Sequence, residues 1–74
     1  MAQINGEALK VLREKDGWTA TAFAGEAGIS LTYLGDIEAG RRTLKRNPAL
    51  IRTFAQMLNV PVSMLQRRAP GEAA

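Results

Sequence analysis

The sequence contains neither cysteine nor histidine. That removes disulfide bonds, cysteine nucleophiles, histidine bases and the two commonest metal ligands together. The seven acids are spread along the chain without a conspicuous pair. The inventory therefore points away from an enzyme, and neither a metal nor a cofactor is expected. Long apolar runs are missing as well: no window approaches the roughly 18 residues of a membrane span. The opening MAQINGEALK lacks the apolar region of a secretion signal. From these absences a soluble chain of the cytoplasm with no membrane partner is expected.

Acids are also missing from one half of the chain. Residues 1–40 hold three bases (Lys10, Arg13, Lys15) against six acids, whereas from Arg41 to Arg68 there are seven bases and no acid. A basic half of this kind points to a polyanion, nucleic acid first. The alternative is a merely solubilising surface. At 74 residues the chain has the size of one small domain, whose stability must come from packing, helped or not by a partner.

Val and Ile are scattered and no run alternates strictly, so strand signals are weak and the expected class is all-α. Asn5 is a plausible N-cap for a first helix over about residues 6 to 15, with Ala8, Leu9 and Leu12 inward and Gly17 as C-cap. Thr19 caps a second helix, ATAFAGEA, closed by Gly28. Ser30 caps a third, which runs to about Ala39 and stops at Gly40. After the basic loop RRTLKR, Asn47 and Pro48 form a cap followed by proline at the first helical position. The fourth helix, PALIRTFAQML, turns Leu50 or Ile51, Phe54, Ala55 and Leu58 inward. Pro61 opens a last short helical turn through Met64 and Leu65. The domain is expected over residues 5–68, with 69–74 as a flexible tail.

The informative unit is Ala20 to Arg42, where two short helices meet at a glycine-containing turn. Such a helix-turn-helix, here at about residues 20–38, needs particular side chains for steric reasons. Ala24 must be small where the helices cross, and Gly28 must take the left-handed conformation. Ile29, Leu34 and Ile37 must plug the pair into the core. Phe23 and Phe54 belong to the same expected core.

With these residues in place, the chain resembles the lambda-repressor-like helix-turn-helix family, also called the xenobiotic-response-element type. The resemblance spans about residues 5 to 67 and includes LRE, GWT, AGIS, IEAG and MLNVPVSML in order. It implies a compact five-helix bundle whose third helix lies in the DNA major groove, commonly as a dimer on palindromic sites. It also implies that Arg13 of LRE pairs with Glu38 of IEAG, a partly buried ion pair tying the first helix to the third. Trp18 is expected to staple the corner between the first two helices.

At 100° per residue, Leu34, Ile37 and Glu38 share one side of the third helix, with Thr32, Gly35 and Asp36 opposite and Leu31 and Tyr33 on the flanks. By the resemblance, Leu31, Thr32 and Asp36 read base edges and Tyr33 reaches phosphate. Leu31 suits a thymine methyl, Thr32 donates or accepts, and Asp36 accepts from a cytosine amino group. The phosphate clamp would combine the backbone around Thr19, Ala20 and Thr21 with Arg41, Arg42, Lys45 and Arg46 of the loop. Two departures from the family pattern bear on this. Ala20 replaces a glutamine that often grips a phosphate, and Asp36 puts a carboxylate where a glutamine is frequent.

Two functions are compatible with these residues. The first is a sequence-specific regulator of transcription, like a small phage repressor, a Cro-type protein or a bacterial regulator, with no small-molecule effector expected. It would reside on the nucleoid when bound to double-stranded DNA. The second is a protein-interaction module, an antitoxin-like or antirepressor-type subunit that uses the same scaffold to bind a protein partner. A homodimer or several copies on DNA is expected, through Met57, Val60, Val62, Met64 and Leu65 unless these simply close the core. Arg67 and Arg68 either reach flanking phosphates or keep the tail soluble.

Overall fold

The computed structural model describes residues 3–67. Four α-helices follow one another: α1 (Gly6–Lys15), α2 (Ala20–Ala27), α3 (Leu31–Glu38) and α4 (Pro48–Leu58). Each begins at a polar side chain that takes one of the backbone amides a helix start leaves unpaired. Asn5 accepts from the Ala8 amide at 3.2 Å, Thr19 from Ala22 at 3.1 Å, Ser30 from Tyr33 at 3.0 Å and Asn47 from Leu50 at 3.4 Å. Pro48 opens α4, where its missing N–H costs nothing. Helix ends are set by left-handed residues: Gly28 caps α2 at φ +77° and Gly40 follows the last turn of α3 at φ +86°. α1 closes at Asp16, one residue before the glycine expected to cap it.

Among the described residues the bundle has four α-helices and not five. The expected fifth is a single 3-10 turn, Val62–Leu65. Pro61 enters it in extended conformation and Gln66 leaves it extended, so only four residues remain, the length a 3-10 turn favours over an α-helix. A two-residue antiparallel ladder was also not anticipated. β1 (Gln3–Ile4) pairs with β2 (Gln66–Arg67), register Gln3 to Arg67 and Ile4 to Gln66. The class stays all-helical. Arg68 and the expected tail 69–74 lie outside the described residues.

Phe23 and Phe54 stack at the centre, ring centroids 5.3 Å apart, and Trp18 meets Phe23 edge-on at 5.4 Å, covering the α1–α2 corner. Leu9, Ala24, Leu34, Ile37 and Leu58 are buried around them. Leu12 and Ile29 are half-buried against this core. In α4 both Leu50 and Ile51 turn inward, and Ile4, Leu44 and Leu65 complete the core. Among the described residues no helix is long and apolar enough to cross a membrane.

Candidate nucleic-acid interface

The α2–α3 junction has the tight geometry that its small residues permit. Ala24 is buried where the helices cross, and the Ile29 amide returns to the Ala24 carbonyl at 3.0 Å across the Gly28 turn. Leu34 and Ile37 anchor α3 in the core. The helix period then leaves the opposite side free: Leu31, Thr32 and Gly35 are exposed, while Tyr33 and Asp36 are half-buried. Leu31, at 52 % exposed, is one of three large apolar side chains left in solvent among the described residues, with Val11 and Met64.

The orientation of α3 is fixed from behind by α1. The Arg13 side chain is 7 % exposed and that of Glu38 10 %. Arg13 Nε donates to Glu38 Oε2 at 2.7 Å and Nη2 to Oε1 at 3.2 Å, the two-pronged geometry that guanidinium and carboxylate share. Nη1 donates to the Trp18 carbonyl at 2.8 Å. The Glu38 hydrogen bond raises the guanidinium above its already high ordinary pKa, outweighing the opposing effect of burial, so Arg13 stays charged. Beside this pair Gly6 lies directly against the α3 backbone, where a Cβ would overlap the Ile37 carbonyl oxygen. Nothing in the sequence around Gly6 announces that approach.

Beyond α3 the left-handed Gly40 folds the chain back over the helix end. The amides of Arg41 and Arg42 both donate to the Asp36 carbonyl, at 2.9 and 3.3 Å. Their side chains consequently meet the Asp36 carboxylate: Arg41 Nε lies 2.9 Å from Oδ1 and Arg42 Nε 3.8 Å from Oδ2. The Arg42 guanidinium also lies over the Tyr33 ring, 4.9 Å from its centroid, a cation–π contact. Tyr33, Arg41, Arg42, Lys45 and Arg46 line one shallow concavity together with Thr43, Leu44 and Asn47. The four loop cations are all exposed.

The loop is held by two residues to which the sequence pattern assigns no role. Thr43 accepts a hydrogen bond from the Ile4 amide at 2.9 Å. Leu44 is buried and adopts φ +57°, a left-handed conformation costly for a branched side chain and retained here because the leucine plugs the core. A lone leucine inside RRTLKR was the available signal for an anchored loop. Thr19, Ala20 and Thr21 form a separate patch. The two threonines are exposed, Ala20 packs inward, and the Ala20 and Thr21 amides precede the first intrahelical bond. The structure thus brings Leu31, Thr32, Tyr33 and Asp36 onto one helix and joins Tyr33 and Asp36 to the loop, while the α2 start stands apart from the concavity.

Comparison with known proteins agrees with this architecture. Residues 6–67 match the family model described as a helix-turn-helix domain. The chain is 36 % identical over 64 residues to the uncharacterized HTH-type transcriptional regulator YazB of Bacillus subtilis, covering 86 % of this chain and 90 % of that one. Among solved structures it resembles the restriction-modification controller protein C.AhdI of Aeromonas hydrophila, with TM-score 0.71, 25 % identity and 80 % and 86 % of the two chains covered. It also resembles SinR of Bacillus subtilis, the master regulator for biofilm formation, in complex with DNA: TM-score 0.65, 28 % identity, 80 % and 95 % covered. With the small-residue turn, the left-handed Gly28 and the Arg13–Glu38 tie all in place, the chain belongs to the lambda-repressor-like helix-turn-helix family of DNA-binding transcriptional regulators.

Proposed function

We propose that this protein regulates transcription by occupying an operator in double-stranded DNA, with α3 in the major groove and the loop 41–46 on the phosphates. The observation that carries this reading is the juxtaposition of an exposed α3 face with four exposed cations that share one concavity with Tyr33. Leu31 and Thr32 meet base edges, the former suited to a thymine methyl, and Asp36 accepts from a cytosine amino group. Tyr33, Arg41, Arg42, Lys45 and Arg46, with the backbone at Thr19, Ala20 and Thr21, fix the register on phosphate. Four loop cations engaging phosphates set a limiting log–log salt slope of about −3.6 per protomer.

A body this small reads few base pairs, so specificity requires two or more copies on one site. Half-buried Met57, Val60 and Val62 and exposed Met64 offer the surface for a homodimer. The test is selection of binding sites from random duplex DNA with the purified protein near 100 mM salt, run in parallel with Asp36→Ala. A short palindrome or direct repeat is expected, and the Asp36→Ala selection should lose its base preference at one position. An unchanged preference removes Asp36 from the groove. No enrichment in either selection refutes the operator reading and turns attention to the antitoxin-like or antirepressor alternative, with a protein as partner.

A further inference from the structure

The Asp36 carboxylate lies among the very cations assigned to phosphate. Its two oxygens face Arg41 Nε at 2.9 Å and Arg42 Nε at 3.8 Å. It is the more enclosed partner, with 27 % of its side chain exposed against 68 % for Arg41 and 56 % for Arg42. The contact is built into the backbone, since Gly40 turns the chain so that both arginine amides bond to the Asp36 carbonyl. The one other acid near the loop, Glu38, is engaged by Arg13 on the far side of the helix. Between Arg41 and Arg68 there is none at all.

We propose that Asp36 is an internal competitor of the DNA phosphate: it holds the loop arginines in the free protein, and so suppresses attachment to duplex of arbitrary sequence. The proposal rests on the DNA-binding reading above and deepens it by naming a determinant of specificity. A carboxylate accepting from arginine Nε offers the same charge-assisted hydrogen bond as a phosphate oxygen. Phosphate must therefore displace or share it, and the gain from releasing counterions falls by one cation. On a cognate site the cytosine amino group occupies the Asp36 carboxylate and frees the arginines for phosphate. On an arbitrary site nothing does, and the protein lets go. Discrimination here comes from weakening the wrong complexes.

The experiment compares wild type with Asp36→Asn, which keeps an oxygen acceptor of the same shape but removes the charge. Affinity for a mixed-sequence duplex is measured from 50 to 400 mM NaCl, and the elution salt from immobilised heparin is measured beside it. One additional cation steepens the slope by about 0.9, from about −2.7 to about −3.6 per protomer, and full release of one counterion strengthens binding at 0.1 M by about eightfold relative to 1 M. We expect Asp36→Asn to tighten mixed-sequence binding by about three- to eightfold at 0.1 M, to elute from heparin at higher salt, and to lose both gains in an Arg41→Ala/Arg42→Ala background. An unchanged slope, or a gain that persists without the two arginines, overturns the proposal. Later heparin elution of Asp36→Asn combined with no duplex binding by wild type at any salt would leave the competition standing and sink the DNA reading instead.

Discussion

Removing the Glu38 carboxylate should cost this protein a large part of its stability. Glu38→Ala deletes the acceptor for two Arg13 hydrogen bonds, at 2.7 and 3.2 Å, and leaves the third, to the Trp18 carbonyl, in place. The guanidinium cannot escape to solvent, because Arg13 is 6 % exposed, and an arginine does not shed its proton at ordinary pH. Breaking a buried pair by deleting one partner costs about 3–5 kcal/mol, and the residual exposure of Glu38 argues for the lower end, about 3 kcal/mol. A domain of this length has only about 4–11 kcal/mol in total. At 4–8 °C per kcal/mol the midpoint should fall by about 12–24 °C.

Calorimetry on wild type and Glu38→Ala measures this directly, and urea titration with an unchanged m-value confirms that stability and not the unfolded state has changed. A companion variant separates a stranded charge from a lost contact. Arg13→Met combined with Glu38→Leu removes both charges and fills the space, so it should melt between wild type and Glu38→Ala, short of full recovery because the Trp18 carbonyl loses its donor. A fall of less than about 4 °C for Glu38→Ala, or a double variant less stable than the single one, refutes the account of this pair.

Gly6→Ala should destabilise by about 2 kcal/mol, since the new methyl meets the Ile37 carbonyl and one of the helices must move. An ordinary helical glycine gains about 1 kcal/mol from the same change, so a raised melting temperature would disprove the close approach of α1 and α3. Arg42→Ala should weaken binding to all duplexes alike and flatten the salt slope by about 0.9, read by fluorescence anisotropy at several salt concentrations. A change of preferred base in that variant would move Arg42 from the phosphates into the groove.

What could be read from the residues themselves was local; the Arg13–Glu38 pair, 25 residues apart, came only through the family resemblance. Asn5, Thr19, Ser30 and Asn47 each announced a helix start because a cap needs only its own side chain and an amide three residues on. Gly28 and Gly40 announced ends for the same reason, and the apolar period of α3 told which side faces the core. The β1–β2 ladder joins residues more than 60 apart, and no property of QI or QR encodes that partner. The 3-10 turn ends where that ladder begins, at the extended and paired Gln66, so its length was equally hidden. Among the site residues, the exposures of Leu31 and Thr32 followed from periodicity, whereas the grip of Asp36 on two arginines depended on how far Gly40 swings the loop.

On the proposed reading, that loop also decides how strongly the surface binds DNA. Four cations on a free six-residue segment would lose most of their attraction to the entropy of ordering backbone and long side chains, about 1–2 kcal/mol per residue for the backbone alone. Here the ordering occurs when the chain folds. Thr43 is tied to β1 through the Ile4 amide, Leu44 is inserted in the core, and Asn47 both bonds back to the Leu44 carbonyl and caps α4. Anchored residues thus lie between the two pairs of cations, Arg41 and Arg42 before them and Lys45 and Arg46 after. The same reasoning explains why α3 is clamped by Arg13 and Gly6 near its C-terminal end while Leu31 and Thr32 stay free at the other. A reading helix gains from rigidity only if the rigid contacts lie behind the face that reads. Loosening the loop should therefore act like loosening the helix, reducing affinity for every duplex without changing which one is preferred.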